Sequence, residues 1–166
     1  ELKKVLQDAV SPVLDAIAET GVPFIYVFGY TPGFNDGDPC EHTTTVLTSL
    51  DEIFYDYEMH DRAIFADLID EDAIADHLEG MDNMSYVSYD SPDRPAYNAS
   101  KKIFQDAIGE ELGIPWKADL PAGVYSAIES IIVPSLDREL HTDYEVLYRL
   151  VDGKYVRTDD EYDCGY

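Results

Sequence analysis

Residues 144–158, YEVLYRLV-DG-KYVRT, decide the fold. Two β-branched and aromatic runs flank Asp152-Gly153, and Asp-Gly supplies the two positive-φ positions that a tight hairpin turn requires. The C-terminal end is therefore a strand, a two-residue turn and a strand. The N-terminal side holds a second pair of runs. Phe24–Tyr30 (FIYVFGY) and His42–Leu50 (HTTTVLTSL) have strand composition. Residues 31–40, TPGFNDGDPC, lie between them, dense in Pro, Gly, Asn and Asp, and read as a structured loop. This pair predicts an antiparallel hairpin with a long connection.

The rest reads as helix. Leu2, Val5, Leu6, Val10, Val13, Leu14 and Ile17 recur at helical spacing over residues 1–20, up to Gly21. Pro12 is expected to kink that helix, or to split it with Ser11 capping the second part. Ile64, Phe65, Leu68, Ile69, Ile74 and Leu78 predict one or two acidic amphipathic helices ending at Gly80. A turn-rich stretch covers 81–97. Asn98 is placed to cap a helix running to Leu112, stopped by Gly113 and Pro115. Residues 121–133 predict a further helix that Pro134 ends or kinks. The expected fold class is α+β: a small antiparallel sheet from the N- and C-terminal hairpins with several acidic helices packed on it. The expected organisation is a single domain, 1–166, with a helical insertion at about 51–140 between the hairpins.

Charge bounds the function. The chain carries 35 Asp and Glu against 11 Lys and Arg over 166 residues, a formal net charge of −24. Hydrophobic residues make up 45% and aromatics 12%, which separates it from disordered acidic chains poor in aromatics. Concentrated on the helical middle and the C-terminal tail, the charge costs stability through self-repulsion, and a basic partner surface would offset that cost. Direct nucleic-acid binding needs a basic patch. The only adjacent basic pairs here are Lys3-Lys4 and Lys101-Lys102, each set among acids. No apolar run approaches the roughly 20 residues of a membrane span, and no basic-then-apolar signal segment opens the sequence. The expected location is the cytoplasm, with Cys40 and Cys164 as free thiols.

The stretch YVFGYTPGFNDGDPCEHT resembles a pattern in uncharacterised bacteriophage proteins, W-x-Q-Y-T-P-Y-F-N-D-G-D/E-P-C-x-F. Thr31, Pro32, Phe34, Asn35, Asp36, Gly37, Pro39 and Cys40 match it, while Gly33 and His42 stand where that pattern has aromatics. The ending YEVLYRLVDGKYVRTDDEYDCGY resembles the end of the same proteins. The resemblance covers about a quarter of the chain. It implies a phage origin and a sheet built from both ends, and it implies no activity.

Three candidate sites follow. The first is an acidic face for a basic, nucleic-acid-binding host protein, bound as an inhibitor or DNA mimic, with a host defence protein as one such target. Its residues are Asp51, Glu52, Asp56, Tyr57, Glu58 and Asp61, with Asp72, Asp76 and Glu79 on one helix face. The alternative for the same residues is a solvated surface that keeps the protein soluble, as in an accessory structural protein, or an adaptation to high salt. The second is the 34–42 loop, where Asn35, Asp36 and Asp38 offer hard oxygen ligands for Ca²⁺ or Mg²⁺. The structural alternative is a set of Asx turns with Gly37 at positive φ. The third is Cys40 with His42, two apart on a strand and so on one face. That pair suits hydrolysis, or Zn²⁺ with His60 or His77, against the plainer reading of a buried thiol.

Tyr55, Tyr57, Tyr86, Tyr89, Tyr97, Tyr144, Tyr162 and Tyr166 stand beside acids and suit contacts with Arg and Lys. Tyr26, Tyr30, Tyr148 and Tyr155 read as core. His141 and Trp116 show no partner pattern. No P-loop, nucleotide-binding glycine pattern or metalloprotease motif is present, and no catalytic residue or cofactor is expected.

Overall fold

The computed structural model describes residues 1–31, 41–55, 59–141 and 143–162. The elements, in chain order, are α1 (Leu2–Glu19), β1 (Phe24–Tyr30), β2 (Thr43–Leu47), α2 (Leu50–Tyr55), α3 (Glu71–Asp82), α4 (Arg94–Leu112), α5 (Val124–Ala127), α6 (Val133–Leu140), β3 (Tyr144–Val151) and β4 (Lys154–Glu161). Two 3₁₀ turns, Met59–Asp61 and Ala63–Phe65, precede α3. The chain divides into two compact units, Glu1–Thr48 with Asp119–Tyr166, and Ser49–Ala118. Helical elements occupy the stretch between the hairpins, from Leu50 to Leu140, and of these residues 119–140 fall in the unit that holds the sheet. The class is α+β, as the strand runs at both ends require.

In the first unit the four strands lie in the order β2-β1-β3-β4, all antiparallel. Asp152 and Gly153 take φ 53° and 81°, the two left-handed positions of a tight turn. The hairpins join along β1 and β3, with Val27 opposite Val146. One sheet face, Ile25, Val27, Val46, Tyr144, Val146 and Tyr148, shares a core with Ile17 of α1 and with Val124, Ile128, Ile132, Val133 and Leu136.

Neither proline ends or splits its helix. Pro12 lies inside an unbroken α1. The carbonyl it leaves unpaired belongs to Asp8, which is exposed and can be solvated. Ser11 does not cap; its Oγ donates to the Gln7 carbonyl at 3.2 Å. Pro134 does not end its helix either. The run from Val124 continues through a π turn, Ile128–Ile132, before α6. A wider turn directly before proline moves the upstream carbonyl away from the ring.

A buried ion pair fastens α6 to β4. Glu139, only 4% exposed, receives both terminal nitrogens of Arg157. Asp159 accepts from Arg157 Nε at 2.6 Å. The two carboxylates hold the guanidinium firmly protonated, raising its pKa despite burial.

In the second unit Leu50, Ile53, Phe65, Ile74 and Ile108 are fully buried. The segment 63–65 forms a 3₁₀ turn rather than an α-helix, and Asp70 caps α3 by accepting from Ala73 N at 3.3 Å. Gly80 does not end α3. It sits where the helix meets α4: a Cβ there would lie 2.4 Å from Phe104 Cε1. α4 starts before Asn98, at Arg94, with Pro95 in its first turn. The Asn98 side-chain Oδ1 accepts from Arg94 Nε at 3.0 Å. Trp116 is buried, stacks on Phe54 at 5.3 Å, and its carbonyl accepts from Asp51 N at 2.8 Å. Among the described residues, no helix is long and apolar enough to cross a membrane.

Candidate functional site

The sequence of α3, EDAIADHLEGMD, turns Ile74 inward and leaves Asp72, Asp76 and Glu79 exposed. At 3.6 residues per turn these three fall within a sector of about 60°, separated by about 6 and 4.5 Å along the axis. That axial spacing is wider than the phosphate repeat of one DNA strand, about 3.4 Å, so the row matches duplex phosphate in sign of charge and not in period. Among the described residues none of the three forms an ion pair. The helix carries no Lys or Arg, and its last turn has Glu79 and Asp82 where the macrodipole favours cations. Like charges three and four apart add repulsion. Asp72, in the first turn, favours the helix dipole, but Asp76 and Glu79 therefore do nothing for the stability of their own helix.

The other residues expected on the acidic face divide. Glu52 has a local task. Ser49 Oγ donates to Glu52 Oε1 at 3.0 Å and accepts from Glu52 N at 3.3 Å. Ser49 thus caps α2, and Ser49-Leu50-Asp51-Glu52 carries the S-x-x-E signature of a helix start in the sequence. Asp51 is half-buried in the same first turn. Asp56, Tyr57 and Glu58 lie outside the described residues, as do Asn35, Asp36, Asp38 and Cys40 of the loop.

Asp61 borders the same concavity as Asp72 of the α3 row and meets two residues the sequence did not join to it. His60, Asp61 and Glu71 each offer one ligand-type atom within 4.8 Å of the others. The His60 ring stacks on Phe54, with centroids 4.6 Å apart. Its Nε2 lies 3.4 Å from Asp61 Oδ1, and its Nδ1 is buried without a hydrogen-bond partner. A hydrogen bond with Asp61, followed by partial desolvation and the Asp61 charge, raises the pKa of Glu71 above its ordinary value. The cluster borders a concavity of about 600 Å³, whose walls include Phe65, Asp67 and Asp70.

In the first unit His42 is the centre of a polar network. Its Nε2 lies 2.9 Å from Asp137 Oδ1 and its Nδ1 lies 3.2 Å from Thr31 Oγ1. Tyr144 also donates to Asp137 Oδ1, at 2.7 Å, and burial together with that bond pushes the Tyr144 pKa up. Gly29 makes room: a Cβ there would approach the Tyr144 ring to 2.8 Å and His42 Nε2 to 3.0 Å. Sequence spacing exposed neither Asp137 nor Thr31, because Asp137 is 95 residues from His42.

The tyrosines split as well. Tyr55 is 92% exposed, and Tyr86 and Tyr89 are exposed too. Tyr89 and Tyr97 already hold a cation within the unit, the Arg94 guanidinium, 4.1 and 4.8 Å from their ring centres. Tyr144 is buried, and Tyr162 stacks on Phe28 at 4.6 Å. Tyr57 and Tyr166 lie outside the described residues.

No protein-family model, curated protein or solved structure matches this chain.

Proposed function

We propose that the protein acts by binding, presenting the carboxylates of α3 to the basic surface of a nucleic-acid-binding protein and so competing with nucleic acid for it. The observation that carries this reading is the exposed, unpaired row Asp72, Asp76 and Glu79, which costs its helix stability. A basic partner would remove the repulsion on contact. Charge would speed encounter and make affinity fall with salt. Tyr55 and Tyr86, exposed in the same unit, offer rigid contact area at low entropic cost. With the resemblance to bacteriophage proteins, the partner would be a host protein and the effect inhibition. The test is capture of bacterial lysate proteins on the immobilised protein at low salt. The reading expects nucleic-acid-binding proteins that are released both by salt and by added duplex DNA. Retained proteins that DNA does not displace would defeat the mimicry.

A second reading, hydrolysis beside the 34–42 loop, has one observation in its favour. His42 has a carboxylate on Nε2 and a hydroxyl on Nδ1, the arrangement of an oriented base next to an alcohol. Equal hydrolysis of p-nitrophenyl acetate by wild type and His42→Ala would remove it.

A further inference from the structure

We infer that His60, Asp61 and Glu71 form a binding site for a single first-row divalent cation of the Mn²⁺ or Zn²⁺ class. The donor set is one imidazole nitrogen and two carboxylate oxygens, drawn from a 3₁₀ turn and from the first turn of α3. Imidazole selects first-row metals over Ca²⁺ and Mg²⁺, and carboxylates suit Mn²⁺.

The distances suit a small ion. Ligands about 2.1 Å from a tetrahedral metal are about 3.4 Å apart. The three atoms lie within 4.8 Å of one another, so the exposed Asp61 and Glu71 side chains need to close by at most about 1.4 Å. The imidazole needs no such search. Its ring is fixed against Phe54, with Nδ1 buried and Nε2 facing Asp61. Glu71 is held from the backbone, since Asp70 caps α3 directly before it.

Charge points the same way. Asp61 and Glu71 are held against each other, and among the described residues no Lys or Arg pairs with either. A divalent ion would replace that repulsion with two attractions. Three protein ligands leave the remaining positions to water, open toward the adjoining concavity. The inference is independent of the partner-binding reading, which uses the other side chains of α3.

The experiment is titration of the full chain with Mn²⁺ alone, following loss of the free-ion paramagnetic resonance signal, at physiological ionic strength. Manganese is the first probe because thiolates such as Cys40 favour zinc over it. One saturable site is expected. Glu71→Gln and, separately, His60→Ala should weaken it at least tenfold, while Asp76→Asn with Glu79→Gln, on the part of α3 away from the concavity, leaves it within about twofold. Excess Ca²⁺ should fail to displace the ion, and Zn²⁺ should displace it. Circular dichroism checks each variant's fold, and Glu71→Gln, an exposed and isosteric change, keeps the test decisive if His60→Ala does not fold. Equal weakening by Glu71→Gln and by the α3 pair would overturn the inference, since the cation would then be only part of the diffuse atmosphere of an acidic protein. So would the absence of saturable binding.

Discussion

Replacing Asp76 by Asn and Glu79 by Gln should make the protein more stable, although both residues are exposed and touch nothing. Three like-charge neighbours on α3 are relieved: Asp72 with Asp76, Asp76 with Glu79, and Glu79 with Asp82. Each such pair costs about 0.2–0.5 kcal/mol. Removing a negative charge from the last turn returns about 0.3–1 kcal/mol of unfavourable dipole interaction. Asp72 is kept, because in the first turn its charge favours the helix. The amides match the acids closely in helix propensity and size, so no other large term enters. The sum is about 1–2 kcal/mol. At a urea slope of about 2 kcal/mol/M this moves the unfolding midpoint upward by about 0.5–1 M. Urea titrations in about 0.01 M and about 1 M salt separate the cause, because the Debye length falls from about 30 to about 3 Å between them. The gain should be full at low salt and largely gone at high salt. A variant no more stable than wild type at low salt would refute the reasoning. These carboxylates would then have local partners that offset their repulsion, and the face would hold no unspent charge for a partner.

Arg157→Met leaves the buried Glu139 carboxylate without its cation, and should cost about 3–5 kcal/mol by urea unfolding; adding Glu139→Gln should recover much of that loss. Gly80→Ala would gain about 0.5–1 kcal/mol of helix propensity, but its Cβ would meet Phe104 at 2.4 Å. A net loss of about 1–2 kcal/mol is expected, reversed in sign by adding Phe104→Leu. Stability should also fall at alkaline pH. Burial raises the Tyr148 pKa from 10.0 to about 12, with Glu139 and Asp159 acting the same way and Arg157 against them. Tyr155 rises to about 12 through burial alone. Both groups are protonated in either state below pH 10, so their contribution is complete there. The unfolded chain then ionises first, and the contribution is lost as pH rises toward 12. Urea midpoints at intervals across this window, with tyrosinate absorbance followed in parallel, should show the decline; Tyr155→Phe should show a smaller one.

The sheet was legible because local chemistry alone specifies it. Asp152-Gly153, flanked directly by two strand runs, favours a tight turn, and Phe24–Tyr30 is too apolar to be an exposed strand. The helices were legible as elements and not in their ends, because packing overrode propensity. Gly80 reads as a stop and serves as a gap for Phe104, and Pro95 reads as a turn and starts α4. The α3 carboxylates were visible from helical spacing. Asp61 with Glu71, and His42 with Asp137, were not, since one pair is closed by a turn between two 3₁₀ segments and α3, and the other by the sheet topology. The local task of Glu52 was missed because a glutamate at a helix start and one on a binding face look alike unless Ser49 is read with it.

The central claim is that the α3 row is what the partner touches. It is tested most directly by measuring the affinity of a captured partner across salt concentrations, for wild type and for Asp72→Asn/Asp76→Asn/Glu79→Gln. The expected result is a loss of at least tenfold at low salt in the triple variant, with a shallower salt dependence and an unchanged fold. Equal affinity and equal salt dependence in the two proteins would contradict the account.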